Sequence, residues 1–473
     1  MDGLKPYPAY RDSGVPWLGD VPEHWETKPL KRWVGMNAEV LPESTPPDYQ
    51  FRYLDIGAVG TGVLINKPQR LRFGDAPSRA RRVVHQGDTI VSTVRTYLKA
   101  IYHVDENANE LVCSTGFAVL TPHAGTLPKF VSYLARSNAF TDRLTADSVG
   151  IAYPAIDETR LGSFQIAVPP HAEQAAIVRF LDRADRQLWR YMRAKQKLVQ
   201  LLNEEKQAII HAAVTRGLDP SVRVTPSGVA WLGNLPAHWG VQRAKRLFRE
   251  VDVRSTTGTE TLLSLRMYRG LIPHSEVSKV PITTDALIGF KKVAPGQLVM
   301  NRMRAAIGMF GIAHESGLVS PDYAVFEALE SVDTEYFLML FKTEAARTTF
   351  RLESKGLGTG SSGFMRLYTD RFGIIKLPVP PHPEQSLIVR AIGAETQEID
   401  TSAERVSREI SLLRTYRTRL LADVVSGRLD VREAAQLQRK AEDSEPPEGV
   451  DPWAEGESEG EADSGTPGEE FVA

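Results

Sequence analysis

Residues 172–215 read AEQAAIVRFLDRADRQLWRYMRAKQKLVQLLNEEKQAIIHAAVT, 44 residues without a proline or a glycine. From Ile177 the spacing alternates between four and three through Leu181, Ala184, Leu188, Tyr191, Lys195, Leu198, Leu202, Glu205, Ile209 and Ala212. That period is a heptad, which predicts a long helix that pairs with another helix. The partner lies further along the same chain. Residues 383–426 carry Ile392, Ile399, Val406, Leu413 and Leu420, which match Leu181, Leu188, Lys195, Leu202 and Ile209 at a constant offset of 211. Lys195 is the one polar member of its column, and a single polar group on a seam fixes register.

The duplication extends beyond the helices. Ser13-Gly-Val-Pro-Trp-Leu-Gly-Asp-Val-Pro-Glu-His-Trp25 returns as Ser227-Gly-Val-Ala-Trp-Leu-Gly-Asn-Leu-Pro-Ala-His-Trp239, with 9 of 13 positions identical. Trp17, Leu18, Pro22 and Trp25, and in the second copy Trp231, Leu232, Pro236 and Trp239, are expected to form an apolar plug that seats each domain on the helices. His24 and His238 recur beside tryptophan and read as packing residues. Between each box and its helix lie about 140 residues of short β-like runs punctuated by Gly, Pro, Asp and Asn. Helix-like runs are expected from Lys129 to Leu144 and from Glu335 to Leu352. Each region closes on an apolar strand and a Pro-Pro turn, with Glu173-Gln174 or Glu384-Gln385 placing acid in the first helical turn.

These patterns predict an α+β chain: two similar mixed α and β domains held apart by two long antiparallel coiled-coil helices about a pseudo-two-fold axis, a dumb-bell. The expected segments are a first recognition domain at 1–170, a helical spacer at 171–216, a second recognition domain at 217–381, a second spacer at 382–431 and a disordered acidic tail at 432–473. The copies agree in the box, the lead-in to the helix and the helix itself. They differ between Asn37 and Ala155 against Asp252 and Arg366, as a kept frame with a changed recognition surface would.

Composition narrows the function. The 473 residues are 42% hydrophobic and 25% charged, which is ordinary for a soluble domain, with no apolar run of the ~20 residues a membrane span needs. The N-terminus MDGLKPYPAY has no signal-peptide pattern, so a cytoplasmic protein is expected. Cys113, the single cysteine, excludes an internal disulfide and a cysteine-based zinc site. Net charge is −2, yet residues 441–473 hold 12 Asp or Glu and no Lys or Arg. Setting those 12 acids aside leaves residues 1–440 at +10, a basic body suited to nucleic acid.

Catalytic motifs are weak. Ser320-Pro-Asp-Tyr with Glu353-Ser-Lys355 mimics a metal-dependent nuclease built on Asp322, Glu353 and Lys355, but the first copy has Cys113-Ser-Thr-Gly in the matching place, with no acid. Gly358-Thr-Gly-Ser-Ser-Gly363 follows no apolar strand and lacks the context of a dinucleotide site. The binding signal is stronger. Arg70, Arg72, Arg79, Arg81 and Arg82 crowd one stretch of the first copy, followed by Arg95, Tyr97 and Lys99 after an expected strand. The second copy has Arg266, Tyr268, Arg269, Lys291 and Lys292, then Asn301, Arg302 and Arg304 after the matching strand. Such side chains neutralise phosphates, and arginine can also pair bidentately with a guanine edge.

Taken together, the doubled Gly-Val-x-Trp-Leu-Gly-x-x-Pro-x-His-Trp box, the doubled Val-Pro-Pro-His-x-Glu-Gln-x-x-Ile-Val-Arg lead-in and the helix endings Ala213-Val-Thr-Arg-Gly-Leu-Asp and Leu420-Leu-Ala-Asp-Val-Val-Ser-Gly-Arg-Leu-Asp resemble the DNA specificity subunit of type I restriction-modification systems. The resemblance covers residues 10–432. It implies a non-catalytic reader of a split, asymmetric double-stranded DNA site, with one half read by each recognition domain. It further implies two modification subunits docked on the helices, with S-adenosylmethionine, and restriction subunits with ATP and Mg2+. This chain itself would carry no cofactor. The helix residues expected to carry docking are Leu181, Leu188, Leu202, Ile209, Ile392, Ile399, Val406, Leu413 and Leu420. The alternatives are the stand-alone nuclease and a helical structural adaptor.

Overall fold

A computed structural model describes residues 4–105, 108–150, 154–267, 269–280, 282–357 and 364–442. The two long helices form where the sequence places them, at His171–Arg216 and His382–Val425. Each is stopped by a glycine in the left-handed region, Gly217 and Gly427, both at φ 76°. Glycine pays no Cβ penalty there, which is why it ends helices.

The chain divides into two compact units, and the dividing points fall inside the helices. The first unit joins residues 1–192 to 411–473, and the second spans 193–410. The dividing points thus fall within the expected spacers. The helix ends are buried in the two cores: Ile177, Phe180, Leu181 and Ala184 pack into the first, and Ile210, Ala213 and Val214 into the second.

In the first unit, Glu26–Pro29 pairs antiparallel with Gln165–Val168, which ties the strand after the Trp25 box to the strand before the Pro-Pro turn. The central sheet has four antiparallel strands in the order Val34–Met36, Phe117–Pro122, Thr89–Ser92, Ile101–His103. The second unit repeats both features, with Gly240–Arg243 on Lys376–Val379 and a sheet ordered Phe248–Val251, Tyr323–Ala328, Leu298–Asn301, Phe310–Ile312. The copies part beyond this sheet. The first builds a second four-stranded sheet from Gln69–Arg72, Gln50–Leu54, Leu111–Ser114 and Ala80–Val83, whereas the second has separate strand pairs, Leu263–Arg266 with Gly270–Pro273, Lys291–Val293 with Gly317–Val319 and Lys355–Leu357 with Phe364–Arg366. The expected divergence thus has a retained sheet inside it.

Each helix-like run is two helices rather than one. Pro128–Arg136 is followed by Asn138–Ala146, and Thr334–Phe341 by Glu344–Glu353. Ser137 and Thr343 sit at the breaks, where their side-chain oxygens cap the second helix by accepting from the amides of Phe140 and Ala346 at 3.4 Å. At the C-terminal end, Arg432–Glu442 is a helix anchored by buried Val431 and Ala435, so the expected tail loses its first eleven residues to structure. Residues 443–473 lie outside the described residues, as does the glycine-rich loop 358–363.

In both units the start of one long helix lies beside the end of the other. Within the second unit Lys206 bonds both oxygens of Asp400 at 2.6 Å, and Lys195, eleven residues earlier, pairs with Glu409, nine residues later. That is antiparallel. In the first unit Arg417 clasps Asp185 through Nε and Nη2 at 2.9 and 3.0 Å.

The Trp box and the Glu-Gln pair account for each other. Glu173 is 6% exposed, and its carboxylate accepts from Trp25 Nε1 at 2.8 Å and the Tyr7 hydroxyl at 2.6 Å, with His24 Nε2 at 2.8 Å. Glu384 takes Trp239 Nε1 at 3.1 Å and His238 Nε2 at 2.8 Å. Gln174 accepts the Leu127 amide and donates to the carbonyls of Gly125 and Pro169; Gln385 accepts the Asp333 amide and donates to those of Ser331 and Pro380. A buried polar group is costly unless bonded, so these two positions tie each helix start to its own domain.

Candidate nucleic-acid interface

Each central sheet carries one hairpin whose turn is rebuilt in the other copy. Between Thr89–Ser92 and Ile101–His103 a three-residue 3-10 turn, Thr96–Leu98, is preceded by Arg95 and closed by Lys99. Between Leu298–Asn301 and Phe310–Ile312 the same turn, Ala305–Ile307, is preceded by Arg304 and closed by Gly308. The alignment is fixed by a shared bond. The Ile156 amide donates to the Thr93 carbonyl at 2.9 Å, and the Leu367 amide to the Arg302 carbonyl at 2.9 Å. Arg302 therefore matches Thr93, and the counterpart of Arg95 is Arg304.

Arg95 (φ 54°) and Lys99 (φ 48°) both adopt the left-handed conformation, which costs a side-chain-bearing residue on the order of 1–2 kcal/mol. Such strain collects at binding sites. The turn is held by the Arg95 amide donating to the Pro154 carbonyl at 2.8 Å and by the Thr61 hydroxyl on the Lys99 carbonyl at 2.8 Å. It presents Tyr97, 53% exposed, and Leu98, 47% exposed; the second copy presents exposed Arg304 and Ile307. Lys99 reaches Asp142 at 2.9 Å.

The remaining arginines of the first copy divide by surroundings. Arg70 and Arg72 are exposed on the edge strand Gln69–Arg72, and Arg79 is exposed beside it in sequence. Arg81 lies 4.4 Å from the centre of the Phe73 ring, a cation–π arrangement that orients its guanidinium. Arg82 is withdrawn from the interface: its side chain is 13% exposed, bonded to the Phe117 carbonyl and to Glu158.

Several expected contacts in the second copy are structural instead. Lys291 is 1% exposed, 3.7 Å from both Glu250 and Asp252, and burial followed by repulsion from Arg302 lowers its pKa. Arg302 bonds Glu250 at 2.8 Å and is half hidden. Asn301 uses its side-chain oxygen to accept the amides of Met303 and Arg304 at 3.0 and 3.2 Å, which shapes the turn. Lys292 pairs with Glu260 at 2.7 Å and, together with the Ser255 hydroxyl, pulls that carboxyl down to about 2. Arg269 pairs with Glu276 at 2.5 Å and stays exposed. Tyr268 lies outside the described residues.

The carboxylates of the nuclease alternative are already engaged. Asp322 is bonded by Arg366 and Glu353 by Arg371, so each carboxylate is neutralised by a different arginine. Among the described residues no group of three or more His, Cys, Asp or Glu could hold a metal ion. No helix among them is long and apolar enough to cross a membrane.

The expected docking residues are consumed inside the chain. Leu181, Leu188, Ile392, Val406 and Leu420 are buried, and Leu202, Ile209, Ile399 and Leu413 are half-buried. The helices also expose Trp189, Tyr191, Leu198, Leu201, Leu387, Leu412 and Tyr416.

A family model, the type I restriction modification DNA specificity domain, matches residues 75–200, from the arginine-rich stretch into the first long helix. Residues 75–200 are thus similar to a type I specificity domain. The chain is 25% identical over 156 residues to the type I restriction enzyme HindI specificity subunit of Haemophilus influenzae, a match that covers 32% of this chain and 34% of that one. The aligned part thus spans about a third of the curated relative. A chain from a solved type I restriction-modification system, studied for its complex assembly and conformational transition, matches with TM-score 0.63 and 21% identity over 86% of this chain and 98% of that one. The HsdS subunit from Thermoanaerobacter tengcongensis matches over the same shares with TM-score 0.43 and 21% identity. The first of these structures shares its fold with this chain.

Proposed function

We propose that this chain is the non-catalytic DNA-reading subunit of a type I restriction-modification complex. It reads a split, asymmetric double-stranded site, with one half taken by each recognition domain. The observation that carries the reading is the pair of equivalent hairpins, each with an arginine before a 3-10 turn and each on a domain whose outer sheet differs from its twin's. Equivalent placement supplies a common approach to the duplex; different surroundings supply different base preferences. Phosphate contacts from Arg70, Arg72 and Arg79 set register, while Arg95, Tyr97 and Arg304 reach for bases.

In this reading two modification subunits and the restriction subunits dock on the chain, with the exposed apolar residues of the long helices, Tyr191 and Leu412 among them, in place of the buried seam. S-adenosylmethionine, ATP and Mg2+ belong to those partners, and the complex acts in the cytoplasm. The long helices, each shared between both units, set the number of unread base pairs. The test is to co-express the chain with its modification subunit in a methylation-free host and sequence the genome for methylated adenines. A bipartite motif with two unrelated halves is expected. An assembled complex that leaves no new methylation would refute the reading.

A further inference from the structure

Arg136 and Arg417 meet in the first unit where the recognition domain touches both long helices, around a cavity of about 270 Å³ that Lys99, Thr61 and Thr418 also line. One carboxylate, Asp185, faces both guanidiniums. Arg417 takes it at 2.9 and 3.0 Å, which leaves Arg136 an ion-pair distance of 3.7 Å. The Arg136 side chain is 13% exposed, and its Nε is buried without a hydrogen-bond partner among the described residues. Arginine has five N–H donors and no way to shed its charge, so a buried guanidinium left short of acceptors is a cost. Burial and repulsion from Arg417 both work against its charge, with Asp185 opposing them.

The same place in the second unit is again doubly cationic. Lys342 occupies the position of Arg136, immediately before the capping Thr343 as Arg136 is before the capping Ser137. The helix offset of 211 puts Lys206 at the position of Arg417, and Thr396 at that of Asp185. Burial lowers the pKa of Lys342, with Glu335 opposing that shift and Lys206 adding to it. Gly308, the counterpart of Lys99, packs against Lys342, with its Cα 3.6 Å from where a Cβ would stand. In the second unit Asp400 neutralises Lys206, whereas around the first unit's cavity Arg136, Arg417 and Lys99 face the single lining carboxylate Asp185, with Lys99 also paired to Asp142.

We propose that this junction in the first unit is a phosphate-binding subsite, occupied by a backbone phosphate of the DNA between the two read halves. The assignment rests on the DNA-reading function above. It adds that Arg136 holds the unread spacer rather than the read bases. Continuity supports the DNA source: Lys99 closes the turn that Arg95 opens, so the cavity lies at the foot of the proposed base-reading hairpin. The oxyanion could also be supplied as free phosphate, and the experiment separates the two.

The full-length chain is titrated with duplexes carrying its own motif and a scrambled motif over a range of salt, for the wild type, Arg136→Gln and, as a milder change at the more exposed side chain, Lys99→Gln. Arg136→Gln is expected to weaken both duplexes by the same factor and to make the slope of log K against log salt shallower by about 0.9, the contribution of one phosphate. Replacing spacer phosphates one at a time by neutral methylphosphonates should weaken the wild type at a defined position and leave Arg136→Gln insensitive there. Unchanged slopes in both variants, with normal melting curves and salt-dependent binding by the wild type, overturn the subsite and leave the DNA-reading function standing. Absence of salt-dependent motif binding by the wild type removes both. Stabilisation of the wild type but not Arg136→Gln by inorganic phosphate at matched ionic strength, with unchanged DNA slopes, overturns the DNA source in favour of a free oxyanion.

Discussion

Arg304 and Arg302 stand two positions apart in one turn, and their surroundings differ. Arg302 is held by Glu250 at 2.8 Å beside buried Lys291, whereas Arg304 is exposed at the turn that mirrors Arg95. Arg304→Ala is expected to relax base preference in one half-site, by about 1–3 kcal/mol for a lost bidentate contact, with the melting temperature unchanged. Arg302→Ala should instead destabilise the second domain, by about 1.5–3 kcal/mol for a lost charged hydrogen bond, and leave the motif as it was. Methylation-motif sequencing and thermal melts on both variants check this; a motif change in Arg302→Ala alone would reverse the assignment. The sequence supplied the cationic residue types but not their partners. Whether Lys291 or Arg302 faces water is decided by Glu250 on another strand, some forty to fifty residues away, and residue spacing carries no trace of that pairing.

At the scale of elements, the heptad is legible in one column and misleading in the other. Leu188, Lys195, Leu202 and Ile209 stay on the inward side, but Tyr191 and Leu198 are 64% and 44% exposed. After Ala184 the second column moves by one residue to Met192, Val199, Lys206 and Ala213, all buried or half-buried. A straight helix drifts against a strict seven-residue repeat, and one skipped position restores contact. The helix ends follow the sequence closely because proline and glycine act locally. Their tightness does not, since it depends on what the box places against them. A Cβ on Gly427 would stand 2.5 Å from Pro22 Cδ, whereas on Gly217 the nearest atoms, on Glu384 and Trp239, are 3.4 Å away. Both glycines share φ 76°, so backbone strain is equal. Gly427→Ala is therefore expected to cost more stability than Gly217→Ala, and equal losses in thermal melts of the two variants would show that strain alone matters.

At the scale of the whole molecule, tandem duplication made the architecture readable: two copies of one box, one lead-in and one helix leave few topologies. What the repeat hides is the retained central sheet, whose strands differ in sequence because only burial, not identity, is required of them. Each long helix belongs to both units, so a change of helix length is the direct test of the proposed spacer role. Seven residues inserted into both helices, between Leu188 and Leu202 and between Ile399 and Leu413, keep the seam in phase and add about 10.5 Å at 1.5 Å per residue. Duplex DNA rises about 3.4 Å per base pair, so the methylated motif should keep both half-sequences and gain about three unread base pairs. Four residues inserted into one helix alone put its apolar column out of phase with its partner's, and folding rather than spacing should suffer. An unchanged spacer in a folded, active seven-residue variant would mean that the recognition domains, and not the helices, fix the separation of the half-sites.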